Sequence, residues 1–179
     1  MRFKLLLTLA MAAVLAGCAA TVSRDTSPSS PTGMSASPAA TKRVYMEISA
    51  AGNLGSGENW DAFLEEWQTS MAAAASEKGL GFTMAKPGQA PVSTPAVLVR
   101  MKVNDFRYVS QAKRYGLGVF SGNAHMDVEV EFIELPQGVS RGKRKYQTSS
   151  SAWQGVFSAM TPKQVEAVSK EILTEVAGR

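Results

Sequence analysis

From Arg43 to Ser49 the chain alternates, with Val44, Met46 and Ile48 on one side and Arg43, Tyr45 and Glu47 on the other. A period of two is that of a strand with one buried face. The Gly- and Ser-containing stretch 50–57 predicts a loop. From about Asn59 to Lys78 the period becomes helical: Trp60, Phe63, Leu64, Trp67, Met71 and Ala74 form one apolar stripe. Asn59 is the predicted N-cap, Asp61 and Glu65 suit the positive end of the helix, and Gly79 suits its stop. The aromatic stripe reads first as a face packed on a sheet and second as a ligand face. Leu80–Met84 predicts a short strand, and 86–95 a polar connection marked by proline.

In Ala96–Val109 the residues Val97, Val99, Met101 and Val103 face one way, and Arg100 and Lys102 the other. The parity switches at Asn104 and Asp105, because Phe106 and Tyr108 continue the apolar set. A β-bulge there restores the facing. Gly122–Leu135 is the clearest strand, with Ala124, Met126, Val128, Val130 and Phe132 inward and His125, Asp127, Glu129 and Glu131 outward. After the turn at Pro136-Gln137-Gly138, the strand 142–149 carries Lys143, Arg144 and Lys145. An acidic strand face thus lies between two basic ones. Antiparallel neighbours would pair these charges across strands, at roughly 0.2–1 kcal/mol per pair; the competing reading of the basic cluster is a site for an acidic ligand.

The last helix opens on Thr161 as N-cap, Pro162 at the first helical position and Gln164 at the capping-box place. Met160 and Val165 are spaced as a hydrophobic staple, and Val165, Val168, Ile172 and Val176 make the stripe. Trp153, Val156, Phe157 and Met160 have helical spacing, which predicts a short turn within 152–158. The elements therefore run β-α-β-β-β-β-α. The expected fold class is α+β: a largely antiparallel sheet of four to five strands with two helices packed on one face.

The N-terminus has a different character. Arg2 and Lys4 precede an apolar run, Leu5–Leu15, of about 11 residues, where a membrane-spanning helix needs about 20. A short apolar core behind a basic start reads as a signal peptide. The run ends in Leu15-Ala16-Gly17-Cys18, which resembles the lipobox of bacterial lipoproteins. The resemblance implies cleavage before Cys18, a diacylglycerol on its thiol, and attachment to a membrane. Ala19, where Asp would signal inner-membrane retention in the enteric system, favours the outer membrane with the domain facing the periplasm. Cys18 is the only cysteine, so no intramolecular disulfide staples the domain. From Ala19 to about Thr41 the chain is Ser, Thr, Pro and Ala with few large apolar residues. Such a stretch buries too little to offset its ordering entropy. The expected division is a signal peptide over 1–17, the lipidated Cys18 and a disordered tether over 18–41, and a single domain over 42–179. A flexible tether of that length spans roughly 25 Å.

The sequence pI of about 9.3 suggests a nucleic-acid partner, but two of the cations lie in the leader. Losing Arg2 and Lys4 takes Lys plus Arg from 19 to 17 against 15 Asp plus Glu, and the net charge from +4 to +2. With an envelope location, no nucleic acid is expected. Catalytic chemistry is thin. The single histidine, His125, projects from a strand among acidic neighbours. Asp127 shares its face, but two ligands make a poor metal site, since zinc wants three or four. Gly116, Gly118 and Gly122 do not match the dinucleotide fingerprint and precede a strand rather than a helix. Glu129 and Glu131 lie near cations with no evident acid–base tuning. No catalytic residues, no metal and no cofactors are expected.

Three segments, Asp105–Ser110 (DFRYVS), Arg114–Met126 (RYGLGVFSGNAHM) and Ser149–Thr161 (SSSAWQGVFSAMT), resemble a family of bacterial lipoproteins known as domain of unknown function 4410. The resemblance covers about Arg43 to Val176. It implies a lipoprotein and no particular activity.

The expected function is that of a membrane-anchored, non-catalytic envelope lipoprotein that interacts with another cell-envelope component. The alternative is a module that binds a small molecule, lipid or glycan through the loop 111–122, where Lys113, Arg114 and Tyr115 set cations beside an aromatic ring. The plain reading of that loop is a hairpin connection whose aromatics fold onto the core. A hydrolase is the remaining class, and it lacks a constellation. Cys18→Ser is expected to leave the protein uncleaved or released from membranes. A variant processed and sedimenting with membranes like the wild type would contradict the anchor.

Overall fold

The structure, a computed structural model, describes residues 21–25, 36–90, 93–108, 124–149 and 160–178. Its strands are β1 (Thr21–Asp25), β2 (Arg43–Ala50), β3 (Gly81–Ala85), β4 (Ala96–Arg107), β5 (His125–Leu135) and β6 (Val139–Ser149). Its helices are α1 (Glu58–Glu77) and α2 (Met160–Ala177), and a 3-10 turn spans Ala40–Lys42. From β2 to α2 the predicted order β-α-β-β-β-β-α is found, on five strands, and the α+β class with it. The strands form one mixed sheet in the order β1-β6-β5-β4-β2-β3.

Both helices cover the same face of that sheet. One core joins Phe63, Trp67 and Met71 of α1 to Val165, Val168, Ile172 and Val176 of α2. Under them lie Val44, Met46 and Ile48, then Val97, Val99, Met101 and Val103, then Met126, Val128, Val130 and Phe132. These are the apolar sets that strand alternation predicts. The bulge is also where parity requires it: the β4–β5 register shifts between Val103 and Asp105. Phe106 thereby returns to the core side, with its ring centroid 4.5 Å from Phe63 and 5.7 Å from Trp60.

Three expectations need correction. First, the sheet is less antiparallel than expected. β1–β6, β6–β5 and β5–β4 are antiparallel, but β2 runs parallel to both β3 and β4. A helix between two adjacent strands returns the chain to its starting end, so β2-α1-β3 is a parallel crossover. Second, part of the stretch expected as a tether belongs to the fold. Thr21–Asp25 forms a sixth strand on the edge of β6, pairing Thr21 with Ser149 and Asp25 with Lys145. Ala40 is fully buried in the main core. Third, Arg144 does not share the open face with Lys143 and Lys145. It lies opposite Val130, on the helix side, and is 4% exposed. There its guanidinium meets Glu175 of α2 at 3.3 Å.

The helix ends also differ in detail. α1 starts one residue before Asn59, with Gly57 as its N-cap at φ +88. Its C-terminus is a Schellman motif: Leu80 N–H donates to Ala75 O at 2.9 Å and Gly79 N–H to Ser76 O at 3.1 Å. Gly79 takes φ +67 there, which a side chain would oppose. Gln164 is fully buried and donates to Ala124 O at 3.3 Å. It fastens α2 to the start of β5 instead of closing a capping box.

The segment before β2 is fastened by Glu134, which is 5% exposed. Ser37 N–H donates to its carboxylate at 3.1 Å and Arg141 Nε at 2.7 Å. Arg141 is the extra residue of a second bulge, where Phe132 pairs with Gly142 but Ile133 with Ser140. Hydrogen bonding from Ser37, opposed in part by burial and helped by Arg141, holds the Glu134 carboxyl below its ordinary range.

Two expected outcomes follow. Removing one member of a buried ion pair strands the other charge. Glu175→Ala should therefore cost about 3–5 kcal/mol in urea denaturation, while the double variant Arg144→Met with Glu175→Leu should return close to wild type. A loss below about 1 kcal/mol for Glu175→Ala would mean that water reaches the pair. Glu134 has a folded pKa below its unfolded one. Its stabilisation is complete above the unfolded value, about 4.3, and is lost as the pH falls through the folded value. The thermal midpoint of wild type should consequently drop more steeply below about pH 4.5 than that of Glu134→Gln, whereas parallel profiles would contradict the assignment.

Candidate functional site

The lipidation residue Cys18 and the candidate loop residues Lys113, Arg114 and Tyr115 lie outside the described residues, as does Trp153. The fold does define where that loop belongs. Residues 109–123 connect the end of β4 to the start of β5, and 150–159 connect the end of β6 to α2. His125 pairs with both Arg107 and Ser149, and Thr21 with Ser149. Both connections therefore open from one end of the sheet.

The face of the sheet away from the helices carries the charges. Glu47, Arg100, Glu131 and Lys143 are consecutive partners across β2, β4, β5 and β6, a row of alternating sign. Arg100 Nε lies 3.5 Å from Glu47, Arg100 Nη1 lies 4.0 Å from Glu131, and Lys143 Nζ lies 3.7 Å from Glu131. The next row sets Glu129 between Lys102 and Lys145. Asp127 takes Lys145 at 3.1 Å and Gln147 at 2.8 Å, and Asn104 bridges Asp127 and Glu129 at 3.3 and 3.0 Å. Burial pushes the Asp127 carboxyl up, but the hydrogen bonds from Gln147, Lys145 and Asn104 outweigh it and hold it below the ordinary range. The cross-strand pairing expected from sequence is thus the arrangement found. Lys143 and Lys145 are engaged by Glu131 and Asp127, which favours the pairing over the acidic-ligand reading of these two cations.

His125 Nε2 lies 3.0 Å from Asp105 on this face, with the two side chains 41% and 63% exposed. A His–carboxylate contact orients an imidazole, but acid–base work needs a reacting group held within reach and screened from water. This pair stands in the open. Among the described residues no three of His, Cys, Asp and Glu come together as metal ligands. No described helix is long and apolar enough to cross a membrane.

At the β2 end of the open face, the connection after β3 folds over the sheet. Glu47, 4% exposed, accepts hydrogen bonds from Gly88 N–H and Ala90 N–H, both at 3.1 Å. Below that connection, Ala96, Leu98, Ile133 and Leu135 form a small second core, with Tyr45 and Ala90 against it. Glu47 thus does structural work, although alternation alone places it on a wet face.

The concavity of interest lies at the β3 edge. A groove of about 680 Å³ runs between α1 and β3. Its α1 wall includes Leu64, Gln68 and Ala72. Its strand wall includes Phe82 and Met84, and Asp61, Glu65 and Lys86 bring charges to it. Among the described residues β3 pairs with β2 alone, so it is the edge strand of the sheet beside the groove. Sequence periodicity does not reveal this groove. Leu64 belongs to the apolar stripe of α1 and is read from it as core, whereas it is partly buried at the core margin, as is Phe82 of β3.

No family model matches the chain, and no curated protein matches it. Several solved structures are similar to it. The PelC dodecamer from Paraburkholderia phytofirmans superposes with a TM-score of 0.52 at 13% identity, over 89% of this chain and 98% of that one. Protein XCC0632 from Xanthomonas campestris gives 0.46 at 13% identity, over 88% and 93%. A candidate lipoprotein from Caulobacter crescentus gives 0.35 at 14%, over 74% and 87%. At such identities the likeness to PelC is one of fold, and the chain shares that α+β architecture along nearly its whole length.

Proposed function

We propose that this protein is a lipid-anchored lipoprotein of the bacterial cell envelope, attached through Cys18 to the outer membrane with its domain in the periplasm. In this reading it acts without catalysis, by binding a protein component of the envelope. The lipobox supports the anchor. The observation that carries the binding role is the groove between α1 and the one-sided edge of β3. An extended segment of a partner laid along β3 would pair with its free backbone groups and drop alternate side chains toward Leu64, Phe82 and Met84. PelC, built on the same fold, is a dodecamer, so a second copy of this chain is one partner that the experiment must recognise.

Gln68 and Ala72 are exposed on the α1 wall of the groove, where substitution spares the core. The double variant Gln68→Arg with Ala72→Arg should keep the wild-type thermal midpoint while losing the partner captured by in-cell crosslinking and mass spectrometry. An unchanged crosslinking profile would remove the groove as the site. Loss of the partner from the triple variant Lys113→Ala, Arg114→Ala and Tyr115→Ala alone would transfer the binding role to the 111–122 loop.

A further inference from the structure

The register of β1 determines how the molecule stands on its membrane. We infer that the end of the sheet marked by Thr21, Ser149, His125 and Arg107 faces the bilayer, held there by the chain's own lipid. The inference rests on lipidation of Cys18 as proposed above.

Only Ala19 and Ala20 separate Cys18 from the first residue of β1. At 3.3–3.6 Å per residue, the three steps from Cys18 to Thr21 reach at most about 10 Å. A free tether over 18–41 would instead span roughly 25 Å and leave the domain to tumble. Because β1 is antiparallel to β6, its first residue lies at the β6 terminus, with Thr21 opposite Ser149. The same register row continues to His125 on β5 and Arg107 on β4. An acyl chain buried in the bilayer thus pulls on this row. The opposite end of the sheet is the Pro136–Gly138 hairpin, separated from it by the eleven residues of β5. At about 3.3 Å per residue the two ends stand roughly 33 Å apart.

The helices agree with this polarity. Gln164 in the first turns of α2 bonds Ala124, just before β5, and Trp60 at the start of α1 packs on Phe106 near the end of β4. Both helix N-termini therefore lie toward the same end, as do the mouths of the 109–123 and 150–159 connections. The first of these connections carries Lys113 and Arg114 and no carboxylate, a composition suited to anionic headgroups. The groove beside β3 lies at the far lateral edge of the sheet from β1, where a bilayer under the Thr21 row leaves it open to the periplasm.

The test uses the absence of other cysteines. With the Cys18 thiol consumed by lipid, Arg107→Cys and Gln137→Cys each accept one thiol-directed donor dye. The purified lipidated proteins are placed in phosphatidylethanolamine–phosphatidylglycerol vesicles that carry a headgroup-labelled acceptor. Energy transfer from position 107 should exceed that from position 137 roughly twofold or more, as ends about 33 Å apart require. His125→Cys reports the same row if the Arg107 variant does not fold. Inserting a long Gly/Ser linker between Ala20 and Thr21 should erase the difference. Equal transfer from both ends, or a difference that survives the insertion, would overturn the inference. A protein that fails to enter the vesicles at all would instead overturn the lipid anchor.

Discussion

The burial of one face of the sheet under both helices is the constraint on which the rest of the molecule depends. Two amphipathic helices bring Phe63, Trp67, Met71, Val165, Val168 and Ile172 onto a single face, and the strands must answer with apolar residues at every second position. Dry packing of that kind, without any disulfide, supplies the stability of the domain. It also decides where the charges go. Most of the charged strand residues fall on the opposite face, beside the small second core, and the strand order sets Glu47, Arg100, Glu131 and Lys143 side by side there. The charge rows are a consequence of the core pattern, arranged by register so that no two adjacent members of that row repel.

The places where polar groups enter the helix side act as fasteners between elements. Arg144 and Glu175 tie β6 to α2, and Gln164 ties α2 to the start of β5. Glu134 collects Ser37 and Arg141, joining the segment before β2 to the β5–β6 hairpin. Each buried carboxylate or amide meets a donor or acceptor from a different element, which is the condition under which burying it is tolerable. Such contacts specify which helix register and which loop path accompany the apolar core, a task that nondirectional burial performs poorly.

Periodicity made most of the fold legible from sequence. The switch of parity at Asn104 located the bulge because Phe106 and Tyr108 had to rejoin the apolar side, and Phe106 does so against Phe63. The Trp60–Ala74 and Val165–Val176 stripes identified both helices. The features that escaped are those that depend on tertiary partners. Thr21–Asp25 has no apolar alternation, and its place in the sheet comes from backbone pairing with the edge of β6. Composition argues against order in such a stretch only when no edge is waiting for it. Arg144 sits in a run of cations that reads as a solvated face, and its burial becomes intelligible only with Glu175 in place, 31 residues later. The parallel direction of β3 was implied by the helix before it, since a helical crossover brings the chain back to the same end. The groove has no periodic signature at all. It lies between α1 and β3, which among the described residues is the sheet's edge strand beside β2.

With Cys18 lipidated as proposed, only Ala19 and Ala20 would lie between the anchor and the sheet, because Thr21–Asp25 pairs with β6. Amide hydrogen exchange at Thr21–Asp25 in the intact protein tests that pairing most directly. Strand pairing with β6 predicts that alternate amides of this stretch exchange far more slowly than an unstructured peptide of the same sequence. Exchange of all five at the unstructured rate would contradict the account and return the segment to a free tether.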